Sequence, residues 1–181
     1  MYNKMASGQQ GFTLIELLVV VAIIAIVLSL AAPSFNDFFA KNRLKRAAEE
    51  VYGLVTKARA ETTIRDTDMA VTVDIDEWCL GYAAAAGCDC KLAAGAAGAC
   101  SVLVSGTDVL QVVDASDFNG VALTDDFGGG VTFNSVRGTT GGGSVNLSAG
   151  GWELNLVVSN MGRVRVCAPA DSTTTMGYDA C

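Results

Sequence analysis

The chain has 181 residues, of which 51% are hydrophobic, and its 19 acidic and 12 basic residues give a net charge of −7. It contains no histidine, which removes Ser-His and Cys-His nucleophile pairs and most catalytic zinc sites. We therefore expect neither an enzyme nor a bound cofactor. The length fits one domain, commonly of about 100 to 150 residues, together with a separate N-terminal segment.

The N-terminal segment combines a polar leader at residues 1–11 with a mostly apolar run at residues 12–32 that holds one charge, Glu16. An ionised carboxylate in hydrocarbon costs about 2.5 kcal/mol or more unless it is paired. Cleavage after Gly11 would supply a partner, because Phe12 would then carry a free amine close to Glu16. An ordinary transmembrane anchor or a secretory signal peptide are the alternatives, and neither explains the position of this acid.

Residues 33–66 continue this run as an amphipathic helix, because apolar residues recur at steps of three and four. The predicted stripe is Phe35, Phe38, Phe39, Leu44, Ala47, Ala48, Val51, Leu54, Val55 and Ala58. One helix of about 54 residues should result, some 80 Å long. Pro33 should bend it, since proline donates no backbone hydrogen bond. The second half of the helix needs a partner for its stripe.

That partner is the remainder of the chain, residues 67–181, which predicts a head of antiparallel β-strands separated by glycine-rich hairpin loops. An Ala-, Gly- and Cys-rich insert interrupts the head at residues 83–100. The predicted strands are Met69–Ile75, Trp78–Tyr82, Val102–Val104, Val109–Val113, Val131–Val136, Ser144–Leu147, Trp152–Val158 and Arg163–Cys167.

All six cysteines follow the apolar run, so delivery of the head to an oxidising compartment predicts disulfides. Cys167 and Cys181 bracket thirteen residues and are expected to form one bridge. Cys88 and Cys90 are too close to bond each other comfortably. Each should therefore pair with one of the two remaining cysteines, in an order that the sequence leaves open: Cys79 and Cys100. A zinc site made by these four cysteines is the alternative, without the usual spacing of the ligands.

Residues 66–181 hold fourteen acidic and four basic residues, a net charge of −10 that should repel polyanions at long range. Within this acidic region, Gly162 precedes Arg163 and Arg165, which lie two apart on a predicted strand and therefore point to one face. Two guanidinium forks on one face suit phosphate oxygens. A solvent-facing pair that bridges neighbouring acids is the alternative interpretation.

The motif Gly-Phe-Thr-Leu-Ile-Glu at residues 11–16, followed by about 20 apolar residues, resembles the class III signal of type IV prepilins and pseudopilins. Three further stretches, residues 57–65, 78–82 and 162–167, resemble the FimT/FimU/GspH group of minor pilins and pseudopilins. The resemblance implies an α+β, type IV pilin-like fold, in which a long N-terminal helix packs on an antiparallel β-sheet head.

The resemblance also implies a function. A prepilin peptidase would cut after Gly11 and methylate the Phe12 amine, and the protein would wait in the inner membrane as a single-pass protein with a periplasmic head. It would then join other pilins in a filament that reaches the cell surface, with Glu16 paired to a neighbour's amine. Some FimT-like pilins bind double-stranded DNA during uptake through a Gly-Arg-x-Arg element, which residues 162–165 match. A minor pilin that primes pilus assembly is therefore expected, and a GspH-type pseudopilin of type II secretion is the alternative.

Overall fold

The computed structural model describes residues 11–124, 127–170 and 176–181, without the side chains of residues 30–34. The chain divides into two compact units, Met1–Asp37 and Phe38–Cys181. We call the second unit the head. One α-helix, α1 (Leu14–Arg65), contributes residues to both units. Its 52 residues agree with the predicted length. The bend expected at Pro33 falls among residues 30–34, whose side chains are not described.

The first turn of α1 is capped by Thr13. The Thr13 hydroxyl accepts a hydrogen bond from the Glu16 amide at 3.3 Å, and the Thr13 carbonyl accepts one from the Leu17 amide at 3.2 Å. A threonine followed three residues later by glutamate is a capping-box sequence, in which the hydroxyl satisfies an otherwise unpaired amide of the first turn. Residues of the Gly-Phe-Thr-Leu-Ile-Glu motif therefore also determine where the helix begins.

Large apolar side chains of α1 in the first unit are exposed around the helix, as at Leu17 (62%), Val21 (56%) and Ile24 (51%). Within the described residues, no helical segment reaches the length and mean hydropathy of a candidate membrane span.

In the head, α1 buries one stripe against the sheets. Its buried residues, each at most 8% exposed, are Leu44, Ala47, Ala48, Val51, Leu54, Val55 and Ala58. The stripe follows the predicted spacing from Leu44 onwards. Phe35, Phe38 and Phe39 instead remain 57%, 58% and 53% exposed, because burial along the helix begins at Ala40.

Ten strands are found in the described part of the chain, and all their pairings are antiparallel. They are β1 (Met69–Asp74), β2 (Cys79–Ala83), β3 (Ser101–Val104), β4 (Thr107–Leu110), β5 (Val112–Asp114), β6 (Ala122–Thr124), β7 (Val131–Phe133), β8 (Gly143–Ala149), β9 (Trp152–Val158) and β10 (Val164–Cys167). The orders are β5-β2-β1-β7 in one sheet, β10-β9-β8-β6 in the second, and β3-β4 in a separate hairpin. A helix packed on antiparallel sheets confirms the predicted fold class.

The strand predicted at Val109–Val113 is wrong, because the chain leaves the hairpin and enters the first sheet at Gln111. The Gln111 amide donates to the Cys100 carbonyl at 2.8 Å, whereas its carbonyl accepts from the Tyr82 amide at 3.1 Å. One residue thus bonds in two directions and separates β4 from β5. The sequence also missed β6 and a short 3-10 helix at Ala115–Asp117, which Asp114 caps by accepting the Ser116 amide.

The predicted insert is a loop held by two disulfides: Cys79–Cys90 ties it to β2, and Cys88–Cys100 joins two of its own residues, the second of them directly before β3. Its chain contains an isolated parallel bridge between Asp89 and Ala99. These pairs are one of the two arrangements that the sequence left open. Because all four thiols are consumed, they offer no thiolate ligands to the zinc ion considered as an alternative.

Candidate functional site

The N-terminal motif residues lie at the start of α1 on an exposed stretch of chain. Gly11 and Phe12 precede the first helical residue, and Phe12 is 87% exposed. Glu16 is exposed in the first turn, where an acid interacts favourably with the partial positive charge of the helix N-terminus. The local geometry therefore leaves the Gly11–Phe12 bond accessible and holds Glu16 four residues from Phe12.

The second group of predicted site residues follows the turn from β9 to β10, at the end of the head where α1 ends. The Gly162 amide donates to the Ser159 carbonyl at 2.7 Å, and the Ser159 amide donates to the Arg163 carbonyl at 2.9 Å. Arg163 therefore lies one residue before β10 rather than on it, which corrects the predicted strand start. Arg163 and Arg165 are both exposed, whereas Val164 and Val166 are half-buried against the core.

Gly162 is buried and adopts a left-handed backbone conformation with φ +74°. A side chain there would run directly into the carbonyl oxygen of Gly138 and would start 3.4 Å from the Nε of Arg59. The close backbone approach at Gly162 is thus directed at this chain's own loop and helix. Only glycine combines that conformation with that contact.

Arg165 is tied to the C-terminal tail. Its guanidinium donates to the Cys181 carbonyl oxygen at 3.0 Å, and the Cys167–Cys181 disulfide fixes Cys181 beside β10. The tail is also held by two backbone hydrogen bonds of 2.9 Å that join Ala168 to Asp179 and to Cys181. The expected bridge is present in the structure, and it supplies Arg165 with a fixed acceptor.

The tail reaches α1 through Tyr178. The Nζ of Lys45 lies 5.5 Å from the Tyr178 ring centroid, a cation–π distance. Burial and the nearby Glu49 carboxylate raise the pKa of Tyr178. The C-terminal disulfide therefore connects the Arg165 strand to the side of α1 that carries Lys45 and Glu49.

The sequence missed a buried polar cluster around Gln111, which is 4% exposed. Its Oε1 accepts hydrogen bonds from the Lys57 Nζ at 2.6 Å and the Tyr82 hydroxyl at 3.0 Å. Burial, with the Glu61 charge, raises the pKa of Tyr82 to about 12. A glutamine between two valine-rich stretches was the available signal. The cluster is internally satisfied, so we assign it a structural role.

A model of the prokaryotic N-terminal methylation motif matches residues 6–32, and a model described as type II transport protein GspH matches residues 47–162. The first match covers the leader junction and the apolar run. The second covers more than half of the chain: the part of α1 from residue 47 onwards and most of the head.

Curated relatives match over a shorter stretch. A fimbrial protein of Pseudomonas aeruginosa is 48% identical over 53 residues, which is 29% of this chain and 34% of that protein. The type IV major fimbrial protein FimA of Dichelobacter nodosus is 40% identical over 70 residues, 39% of this chain and 42% of that protein. The chain thus spans between a third and a half of the length of the curated relatives it matches.

Two solved structures are similar in shape. The type IV minor pilin FimU of Pseudomonas aeruginosa is 20% identical, with a TM-score of 0.49 over 74% of this chain and 97% of that one. The minor pseudopilin EpsH of the Vibrio cholerae type II secretion system is 14% identical, with a TM-score of 0.49 over 71% and 99%. On the match over residues 47–162, behind an N-terminal methylation motif, the chain belongs to the family described as type II transport protein GspH.

Proposed function

We propose that this chain is a minor pilin of a type IV pilus that primes pilus assembly. The prepilin peptidase would cut after Gly11 and methylate Phe12. The apolar part of α1 would then anchor the protein once through the inner membrane, with a periplasmic head, before packing among other pilins. The observation that carries the proposal is the pairing of an N-terminal methylation motif with a helix whose apolar side chains are exposed on all sides.

Such a helix needs an apolar environment, because burying each exposed Leu, Val or Ile side chain gains about 1.5 to 3 kcal/mol. Lipid before assembly and neighbouring pilin helices after assembly both provide it. Glu16 would pair with the Phe12 amine of a neighbour in the filament. Removing one partner of a buried pair costs about 3 to 5 kcal/mol, because it leaves an uncompensated charge.

Processing and pairing can be tested separately. Co-expression with a prepilin peptidase, followed by intact-mass measurement, should give a chain that begins at N-methylated Phe12. Glu16→Ala should be processed normally but should be lost from sheared filaments. The matched variant Thr13→Ala removes only the helix cap, and it should remain in the filaments. If both variants were lost from the sheared filaments, disruption of the helix cap alone would explain the effect of Glu16→Ala.

A GspH-type pseudopilin of type II secretion is the second candidate, favoured by the description of the family whose model matches the head. Deleting the gene in its host separates the two. Loss of surface pili with intact protein secretion supports the pilus, whereas accumulation of secreted proteins in the periplasm with normal pili supports the secretion system.

The proposed minor pilin would also bind double-stranded DNA through Arg163 and Arg165. Both side chains are exposed, Arg163 directly before β10 and Arg165 on it, and β10 is an edge strand paired only with β9 in the described part of the chain. The net charge of −10 over residues 66–181 opposes binding at long range, so any contact must be local. Two neutralised phosphates predict a log–log salt slope of about −1.8. Arg163→Ala/Arg165→Ala should abolish binding of a labelled duplex by the full chain in detergent micelles.

A further inference from the structure

Three separate parts of the head meet at Gly162. The Nε of Arg59, on α1, lies 3.4 Å from the point where a Gly162 side chain would begin, and the Gly138 carbonyl touches the same point. Arg137 directly precedes Gly138, and Arg163 directly follows Gly162. The backbone segments that carry Arg137 and Arg163 are therefore in contact, and the side chain of Arg59 reaches the same point from α1.

The loop that carries Arg137 is held in place rather than loosely attached. Within it, the Gly138 amide donates to the Asn134 carbonyl at 2.8 Å. The Thr140 amide donates across to the Asn160 carbonyl at 3.0 Å. On its other side, the Asp68 carboxylate accepts the Ser135 amide at 2.7 Å. These bonds join the loop to the β9–β10 turn and to the chain that follows α1.

Most other cations of the head are occupied by this chain itself. Lys57 donates to Gln111, and Arg65 pairs with Glu61 and donates to the Leu103 carbonyl. Arg43 donates to the Phe39 and Asn119 carbonyls, and Lys41 lies 4.7 Å from the Trp152 ring centroid.

Three arginines near Gly162 differ from these, as does Arg46, which lies about 20 Å along α1 from Arg59. Among the residues that the structure describes, the guanidinium groups of Arg59, Arg137 and Arg163 have neither a hydrogen-bond acceptor nor an acidic partner. All three are exposed. Their donors are thus free to bind an external anion at one end of an otherwise acidic head.

We propose that Arg59 and Arg137 extend the Arg163/Arg165 pair into a four-arginine surface that binds the phosphate backbone of DNA. This rests on the proposed DNA binding by the pair. Guanidinium forks bind phosphate oxygens in two-point contacts, and phosphate contacts set the position of a duplex without reading its sequence. Arg165 uses one donor on the Cys181 carbonyl and is itself an exposed residue.

An acidic protein surface is the competing occupant, because Val136 and Met161 lie in the same loop and turn and are 83% and 81% exposed. The observations favour DNA. The four cations come from a helix, a loop, a turn and an edge strand, and the close backbone approach between the loop and the turn is at Gly162. A linear polyanion can run along such a surface.

The test is a salt titration of the full chain in detergent micelles against a labelled random-sequence duplex. Four neutralised phosphates predict a log–log slope of about −3.6, and each of Arg59→Ala and Arg137→Ala should reduce its magnitude by about 0.9. Arg137→Lys keeps the charge and should keep most of the slope. The control is Arg46→Ala, which removes the same charge about 20 Å along α1 from Arg59 and should leave the slope unchanged.

The outcomes separate this inference from the function on which it rests. A slope of about −1.8 that Arg59→Ala and Arg137→Ala leave unchanged would overturn the extension and keep the Arg163/Arg165 site. Equal losses from Arg59→Ala and Arg46→Ala would also overturn it, because net charge alone would then explain the effect. Absence of binding by the unaltered chain at low salt would overturn both, and the surface would be left to an acidic protein partner. Thermal unfolding of each variant checks that the head remains folded.

Discussion

The two parts of α1 both carry apolar side chains but differ in what covers them. Before residue 38 the apolar residues occur all around the helix and remain exposed, as at Leu17, 62% exposed. In the head they form one stripe that the sheets bury completely at Leu44, Ala47 and Val51. The periodicity of the sequence thus indicates whether a helix segment finds its partner within its own chain or in lipid and other molecules.

The largest expected effect tests this difference directly. Leu44→Ala removes a fully buried side chain and should lower the free energy of unfolding of the head by about 2 to 5 kcal/mol, since it leaves a cavity in the core. Leu17→Ala makes the same change in the exposed part and should stay within about 0.5 kcal/mol. Urea unfolding, followed by the fluorescence of the two tryptophans, both in the head, measures each. Equal losses of unfolding free energy in the two variants would contradict this difference between the two parts of α1.

A second variant asks how much the C-terminal tail contributes to the cover of α1. Cys167→Ser/Cys181→Ser opens the bridge that places Tyr178 beside Lys45. A closed loop of this size stabilises by about 3 kcal/mol in the chain-entropy model, so we expect a loss of that order in the same urea experiment. An unchanged unfolding free energy would mean that the tail packs on the head without contributing to its stability.

The sequence predicted the parts of this fold that depend on local pattern. The helix length, the buried stripe from Leu44 to Ala58 and the strand Trp152–Val158 follow from periods of 3.6 and 2. The break at Gln111 was missed, because its hydrogen bonds to Cys100 and Tyr82 are decided by tertiary contacts that periodicity does not record.

The candidate site divides in the same way. Gly162, Arg163 and Arg165 were recognised together because they are adjacent in sequence. Arg137 was not associated with them, because only the contact of Gly138 with Gly162 brings it there, and Arg59 was not, because only its side chain reaches Gly162. A contact between residues more than twenty positions apart leaves no trace in the spacing of a single sequence.

That contact provides the third test. Gly162→Ala combines a left-handed backbone with a clash against the Gly138 carbonyl, and it should cost about 1 to 3 kcal/mol. The matched change Gly138→Ala keeps a left-handed residue, with φ +62°, but meets open space. It should cost about 1 to 2 kcal/mol from the backbone alone. Urea unfolding compares the two, and the larger loss should be at Gly162. A larger loss at Gly138 would contradict the close approach at the end of the head.

The smallest expected effect concerns the residue that holds the loop of Arg137 to the chain after α1. The Ser135 amide and side chain, both hydrogen-bonded to Asp68, lower the pKa of its carboxyl below the ordinary value of 3.8. A lowered pKa in the folded state contributes stability that is present above 3.8 and is lost as the pH falls through the lower value. The Ser135 amide resonance should therefore titrate with a midpoint below 3.8.

Asp68→Asn removes that titration while preserving most of the shape, and at neutral pH it should weaken DNA binding less than Arg137→Ala does. The arginine would still be present, and only its support would loosen. A midpoint at or above 3.8 would show that the carboxylate does not hold the loop in solution. The loop that carries Arg137 would then be like the exposed part of α1 in one respect: it would be fixed in position only when a partner molecule covers it.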